Sequence, residues 1–175
     1  GKIILYNGAM DIGQGTNTIM IQICADALGL PASQFEFVMG DTDLTADAGK
    51  TSASRQAFIS GKAAQLAGEN LRAQIIRLAE ASEKAILSLD QNKLIAVDES
   101  GEHEIFLSDI LPQTNGNVLT GEGTFDPPTT PLDENGQGNP YATYGFGAHI
   151  AEVEVDTILG TTKVLRMVAA HDVGK

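Results

Sequence analysis

The tightest constraint on the fold is a change of hydrophobic period near the start of the chain. Ile3 to Tyr6 is a short β-prone run closing at Asn7-Gly8, and the small residues Gly13-Gln14-Gly15-Thr16 follow as a loop. Ile19, Ile23, Ala27 and Leu28 then recur at helical spacing. This predicts a helix over about 17–28, with Thr16 or Thr18 to cap its first turn and Gly29-Leu30-Pro31 to stop it. Phe35, Phe37 and Met39 alternate with Glu36 and Val38 as in a half-buried strand, and the acidic loop Asp41-Thr42-Asp43 comes next. Strand, helix and strand in that order place the chain in the α/β (α+β) class, a mixed sheet carrying two main helices.

The second helix is expected to be the longest element. Thr51-Ser52-Ala53-Ser54 precede Ile59, Ala63, Leu66, Leu71, Ile75 and Leu78 at helical spacing, which predicts a helix over about 52–80. Gly61 and Gly68 lie inside it, and each disfavours a helix by about 1 kcal/mol relative to alanine. Close packing against another backbone accounts for them, with that face pressed to a sheet. From 85 to 125 the β-prone runs Lys93–Val97, Ile105–Leu107 and Val118–Phe125 are separated by turn residues, with a helical turn at Ser108–Leu111. Asp126 to Pro140 holds four of the six prolines and reads as an irregular loop, while His149–Asp156 and Thr162–Ala170 alternate on either side of Gly160 as a β-hairpin. The expected organisation is a β-α-β-α segment over 1–84, a β-rich connection over 85–140 and a hairpin over 141–175. The chain is expected to be cut from a longer one.

Composition narrows the function. Hydrophobic residues make up 42% and charged ones 19%, enough apolar material for a core. Asp and Glu number 23 against 11 Lys and Arg, a net charge of −12, which argues against a nucleic-acid partner. No apolar run approaches the roughly 18 residues of a membrane span. The single thiol, Cys24, cannot close an internal disulfide, and a cytoplasmic setting is expected. His103, His149 and His171 show no zinc spacing, and the Asp41-x-Asp43 loop has Ala46 and Ser52 where a calcium loop needs Gly and Glu. No nucleophile elbow or paired-carboxylate arrangement is visible, so the sequence offers binding groups and no catalytic one.

The binding groups lie at the two helix openings. Gly13-Gln14-Gly15 leaves backbone N–H groups free of side-chain obstruction at a helix start, a geometry that attracts anions; a tight turn using glycine for its freedom is the plain alternative. A dinucleotide fingerprint fits less well, because its third glycine is Thr18 and its first stands about six residues past the strand. Thr51-Ser52-Ala53-Ser54-Arg55 brings three hydroxyls and a guanidinium to the second opening, more than a cap requires. The two openings are expected to converge on one extended anionic ligand.

Their order along the chain is more specific than either alone. Asp11-Ile12-Gly13-Gln14-Gly15-Thr16, then Gln22-Ile23 with Leu28-Gly29, then Gly40-Asp41-Thr42-Asp43, then Lys50-Thr51-Ser52-Ala53-Ser54-Arg55 with Gly61, resembles the molybdopterin-binding subunit of the xanthine dehydrogenase and aldehyde oxidase family. Tyr144-Gly145-Phe146-Gly147-Ala148-His149 and Ala169-Ala170-His171-Asp172-Val173-Gly174 resemble a later hairpin of the same region. The resemblance covers about 1–80 and 140–175 and implies a fragment of a molybdenum hydroxylase, an oxidoreductase acting on an aldehyde or purine-like N-heterocycle with water as oxygen source.

The resemblance further implies that Gly13, Gln14, Gly15 and Thr16 contact the pterin, Gln14 through its side chain. Thr51, Ser52, Ala53, Ser54 and Arg55 would line the pterin or pyrophosphate from the other helix start. A molybdopterin cytosine dinucleotide would use both cradles. The family often has Glu or Met where Asp11 and Ile12 stand here. Its catalytic glutamate belongs to a Gly-rich motif farther downstream, so the fragment alone is expected to be inactive. 2Fe-2S clusters and FAD are expected on partner domains or subunits, beside the remainder of the molybdenum subunit. A Rossmann-like dehydrogenase domain and a non-enzymatic binding module are the alternatives.

Overall fold

The computed structural model describes residues 1–173, so Gly174 of the last motif lies outside the described residues. The chain divides into two compact units, Gly1–Pro127 and a second beginning at Pro128.

In the first unit, β1 (Ile3–Asn7) pairs in parallel with β2 (Phe35–Met39), with Ile3 opposite Phe35 and Asn7 opposite Met39. A parallel pair needs a crossover, and α1 (Thr16–Leu28) supplies it. A short 3-10 turn, Ala32–Gln34, leads into β2, and α2 (Gln56–Ala79) follows the acidic loop. Strands β3 (Ile86–Asp90), β4 (Lys93–Asp98) and β5 (Gly101–Phe106) form an antiparallel meander. The two-helix α/β plan is present, with its parallel and antiparallel ladders in separate sheets.

The helices pack on each other. A Cβ on Gly68 would lie 2.6 Å from the Cys24 carbonyl oxygen and 3.0 Å from the Ala27 Cβ, so the missing side chain lets α2 approach the α1 backbone. The surface met by this glycine face is therefore α1, where a sheet was expected. Leu5, Met20, Cys24 and Ala64 form one buried cluster. Leu28, Leu30, Ile75 and Ile76 form another with Leu87 and Leu94 of the meander. The expected strand Val118–Phe125 does not form. Its backbone crosses α2, whose own amides and carbonyls are paired within the helix and offer no ladder. There Gln74 Nε2 donates to the Thr120 carbonyl at 2.8 Å, and the Phe125 ring meets Phe58 edge-on at 5.4 Å.

In the second unit, β6 (Phe146–Asp156) and β7 (Thr161–Asp172) form an antiparallel hairpin with a register shift at Glu152/Val153. The Asp156 carboxylate holds the turn, accepting from the Ile158 and Leu159 N–H groups at 2.9 Å each. Both strands are exposed along their length.

Candidate functional site

The loop before α1 is organised by a carboxylate. Asp11 Oδ1 accepts from the N–H of Gly13 at 2.8 Å and of Gly15 at 3.4 Å, and Oδ2 accepts from the N–H of Asn17 at 3.2 Å. These bonds, that from Gly13 first and that from Asn17 next, hold the Asp11 carboxyl below its ordinary range. Gly15 stands at the N-cap with φ +84°, and no side chain of the cap residue bonds the helix. Thr16 and Thr18, the caps expected from the sequence, give way to a charged acceptor that binds amides more strongly than a hydroxyl does.

Gln14 sits inside this loop. Its Oε1 accepts from the Ile12 N–H at 2.7 Å, and its Nε2 donates to the Met10 carbonyl at 3.2 Å and to Thr16 Oγ1 at 2.5 Å. The loop before α2 reaches the same carbonyl, to which Thr51 Oγ1 donates at 2.9 Å. Met10 O thus joins two segments that are about 40 residues apart in sequence.

The second opening is built differently. Ala53 and Ser54 both adopt φ +53°, so the helix starts at Gln56, four residues after the expected start. None of the three hydroxyls caps it: the N-cap is Arg55, without a side-chain cap bond. Arg55 Nη1 donates to the carbonyls of Ala48 at 3.1 Å and Lys50 at 2.8 Å, bracing the preceding loop. Buried Gln56 donates through Nε2 to the Lys50 carbonyl at 3.1 Å and accepts the Ser60 hydroxyl through Oε1.

Both openings border one cavity of about 450 Å³, lined by Ile12, Gln14, Thr16, Ile19, Met20 and residues 51–57. Gln14, Thr16, Thr51, Ser52, Ala53, Ser54 and Arg55 are thereby brought together, while Gly13 and Gly15 shape the loop without lining the cavity. A second cavity of about 500 Å³ runs between α1 and α2, with Asp26, Phe58, Lys62 and Gln65 on its wall. Ala57 lines both cavities.

This donor set fits an elongated ligand with its charge at one end. The α2 opening has no cap of its own and carries the Ser52 and Ser54 hydroxyls, which suits an anion. At α1 the Gly13, Gly15 and Asn17 amides already serve Asp11 and both Nε2 protons of Gln14 serve Met10 and Thr16, so that end offers the second lone pair of Gln14 Oε1 and the Thr16 hydroxyl proton as neutral hydrogen-bonding groups. The sequence reading missed Asp11 as the organising acceptor, although Asp-x-Gly is a recognised turn pattern. It also missed Met10, which acts through its backbone, and Gln56. Asp41 turns its carboxylate onto the N–H groups of Asp43 and Leu44, and no group of three or more potential metal ligands occurs among the described residues.

The family model described as "Molybdopterin cofactor-binding domain" matches residues 1–175. The chain is 30% identical over 167 residues to aldehyde oxidase 4 of Rattus norvegicus, covering 95% of this chain and 11% of that protein. It is 27% identical over 175 residues to xanthine dehydrogenase/oxidase of Mus musculus, covering 99% and 12%. Its fold is similar to the aldehyde oxidoreductase from Desulfovibrio desulfuricans, with TM-score 0.67 and 24% identity over 100% of this chain and 17% of that one. The chain thus spans little more than a tenth of the length of these two curated relatives. Because the family match extends over all of its residues, the chain belongs to the molybdopterin cofactor-binding domain family.

Proposed function

We propose that this chain is the part of a molybdenum hydroxylase of xanthine dehydrogenase and aldehyde oxidase type that holds the molybdopterin cofactor. The observation that carries this reading is the single cavity bordered by both helix openings. When bound, the cofactor supplies the oxygen-transfer and two-electron chemistry, and the protein supplies orientation and hydrogen bonds. Gln14 and Thr16 address the neutral end of the ligand. Ser52, Ser54 and the amides at the start of α2 take its anionic end, and Arg55 keeps the loop before them in shape through the Ala48 and Lys50 carbonyls. Gly13 and Gly15 serve through the loop they form.

A dinucleotide form of the cofactor, such as the cytosine one, suits the paired cavities. The pyrophosphate would lie at the α2 opening beside Ala57, with the pterin half on the Gln14 side and the nucleoside half toward Asp26 and Gln65. The parent enzyme would act on an aldehyde or purine-like heterocycle in the cytoplasm and pass electrons to 2Fe-2S and FAD centres on partner domains or subunits. No catalytic residue is assigned to this chain. A Rossmann-like reading loses ground, because the pyrophosphate of a nicotinamide dinucleotide would need the α1 amides that Asp11 holds. A non-enzymatic binding module is less favoured, because the relatives the chain matches are named as an aldehyde oxidase and a xanthine dehydrogenase/oxidase.

The test uses Gln14→Ala and Ser54→Asp, each in the parent polypeptide purified with its cofactor. Molybdenum is counted by elemental analysis and pterin by fluorescence after oxidation. Both variants should retain about tenfold less than the wild type while melting as it does, the scale on which lost supporting contacts weaken cofactor sites. Full occupancy in both variants overturns the reading.

A further inference from the structure

Gln14 can serve the cavity only if its loop keeps one shape, and the fixing is done by its neighbour. The Asp11 backbone is tied to the end of β2, where its N–H donates to Met39 Sδ at 3.3 Å. From that anchor the carboxylate takes the Gly13 and Gly15 N–H groups, which flank Gln14 on either side, and the Asn17 N–H in the first turn of α1. Gly13 at φ +103° and Gly15 at φ +84° let the chain bend round the carboxylate. With both flanking amides held, the Gln14 side chain folds back onto the Ile12 N–H and the Met10 carbonyl and lies on the cavity wall.

We infer that Asp11 is the positioning residue of this site, holding Gln14 at the cavity by gathering the amides on both sides of it. The same bonds occupy the α1 opening from within and leave α2 as the anionic end of the pocket. The inference rests on the reading of Gln14 as a cofactor contact and goes beyond it by naming the group that makes the contact possible.

The experiment is a double-mutant cycle in the parent polypeptide: Asp11→Ala, Gln14→Ala, both together, and Asp11→Asn. Its readouts are molybdenum and pterin per polypeptide and the half-time of pterin release, with folding checked by thermal melting. Asp11→Ala should retain about tenfold less cofactor, Asp11→Asn should recover most of that loss because its amide oxygen still accepts from Gly13 and Gly15 although its NH2 cannot take the Asn17 N–H, and Asp11→Ala should add nothing in the Gln14→Ala background. Asp11→Ser, a shorter acceptor, carries the same comparison if the alanine variant does not fold. Full retention by Asp11→Ala overturns the inference, and so does a loss that adds in full to that of Gln14→Ala, as a purely structural defect would. Full retention by Gln14→Ala alone removes the underlying reading of Gln14.

Discussion

Outside the cavity, single residues carry chemistry that can be measured. Asp98 accepts from the Ser82 N–H at 2.6 Å, the Ser100 N–H at 2.8 Å and the Ser100 hydroxyl at 2.5 Å, with His103 Nε2 at 3.3 Å. Led by the Ser100 hydroxyl, these donors hold its carboxyl well below the usual range. A carboxyl depressed in the folded state stabilises the protein above its unfolded pKa of about 3.9, and that contribution fades as pH falls through the lower folded value. Asp98→Asn should therefore melt below the wild type at neutral pH, and the gap should narrow on acidification; melting temperatures followed from pH 7 downward check this. Burial pushes the Cys24 thiol up to about 11. Since the thiolate is the reactive form, labelling by a thiol reagent near pH 8 should be about a hundredfold slower in the native state than in denaturant. Gln14, Thr16 and residues 51–55 were legible as cavity groups in the sequence, because the second helix start carries more hydroxyls than a cap requires and the order of the two openings is specific. Their partners were not. Whether the α1 amides face a ligand or Asp11 depends on the path of a loop that periodicity does not describe.

Elements were read best where one period runs long. The spacing gives 17–28 for α1 and 52–80 for α2, against Thr16–Leu28 and Gln56–Ala79 in the structure. The difference at α2 comes from the left-handed Ala53-Ser54 pair, a conformation that such residues adopt rarely and that sequence does not announce. Strand β3 went unseen, since a short apolar run after a helix cannot be told from the helix's own end by period alone. Close contact between α1 and α2 yields a contrasting pair of predictions. At Gly68 an added Cβ meets the Cys24 carbonyl oxygen, which is backbone and cannot step aside. Overpacking of about 1–3 kcal/mol set against the roughly 1 kcal/mol helix gain means that Gly68→Ala should destabilise by up to about 2 kcal/mol. At Gly61 the nearest atom is the Ile23 Cδ1 at 2.9 Å, the tip of a side chain that can turn away, so Gly61→Ala should be nearly neutral. Denaturant midpoints of the two variants decide whether backbone proximity governs.

At the scale of the whole molecule, every buried position among the described residues falls between Leu5 and Ala96. The hairpin adds none, and a lone two-stranded hairpin is marginal in water. A chain of residues 1–127 should therefore unfold cooperatively at the temperature of the 175-residue chain, as calorimetry would show. The α/β class was legible from the early switch between strand and helix periods, whereas the split into separate sheets reflects pairings distant in sequence. One further consequence follows from the oxygen of Met10, which Gln14 and Thr51 share. Of these two bonds the one from Thr51 links the two flaps of the pocket, so a flap that swings outward alone gives it up to water, and entry of a guest should move both together. Hydrogen–deuterium exchange in the two flaps should slow together on loading and quicken together on release, as in a door with a single hinge.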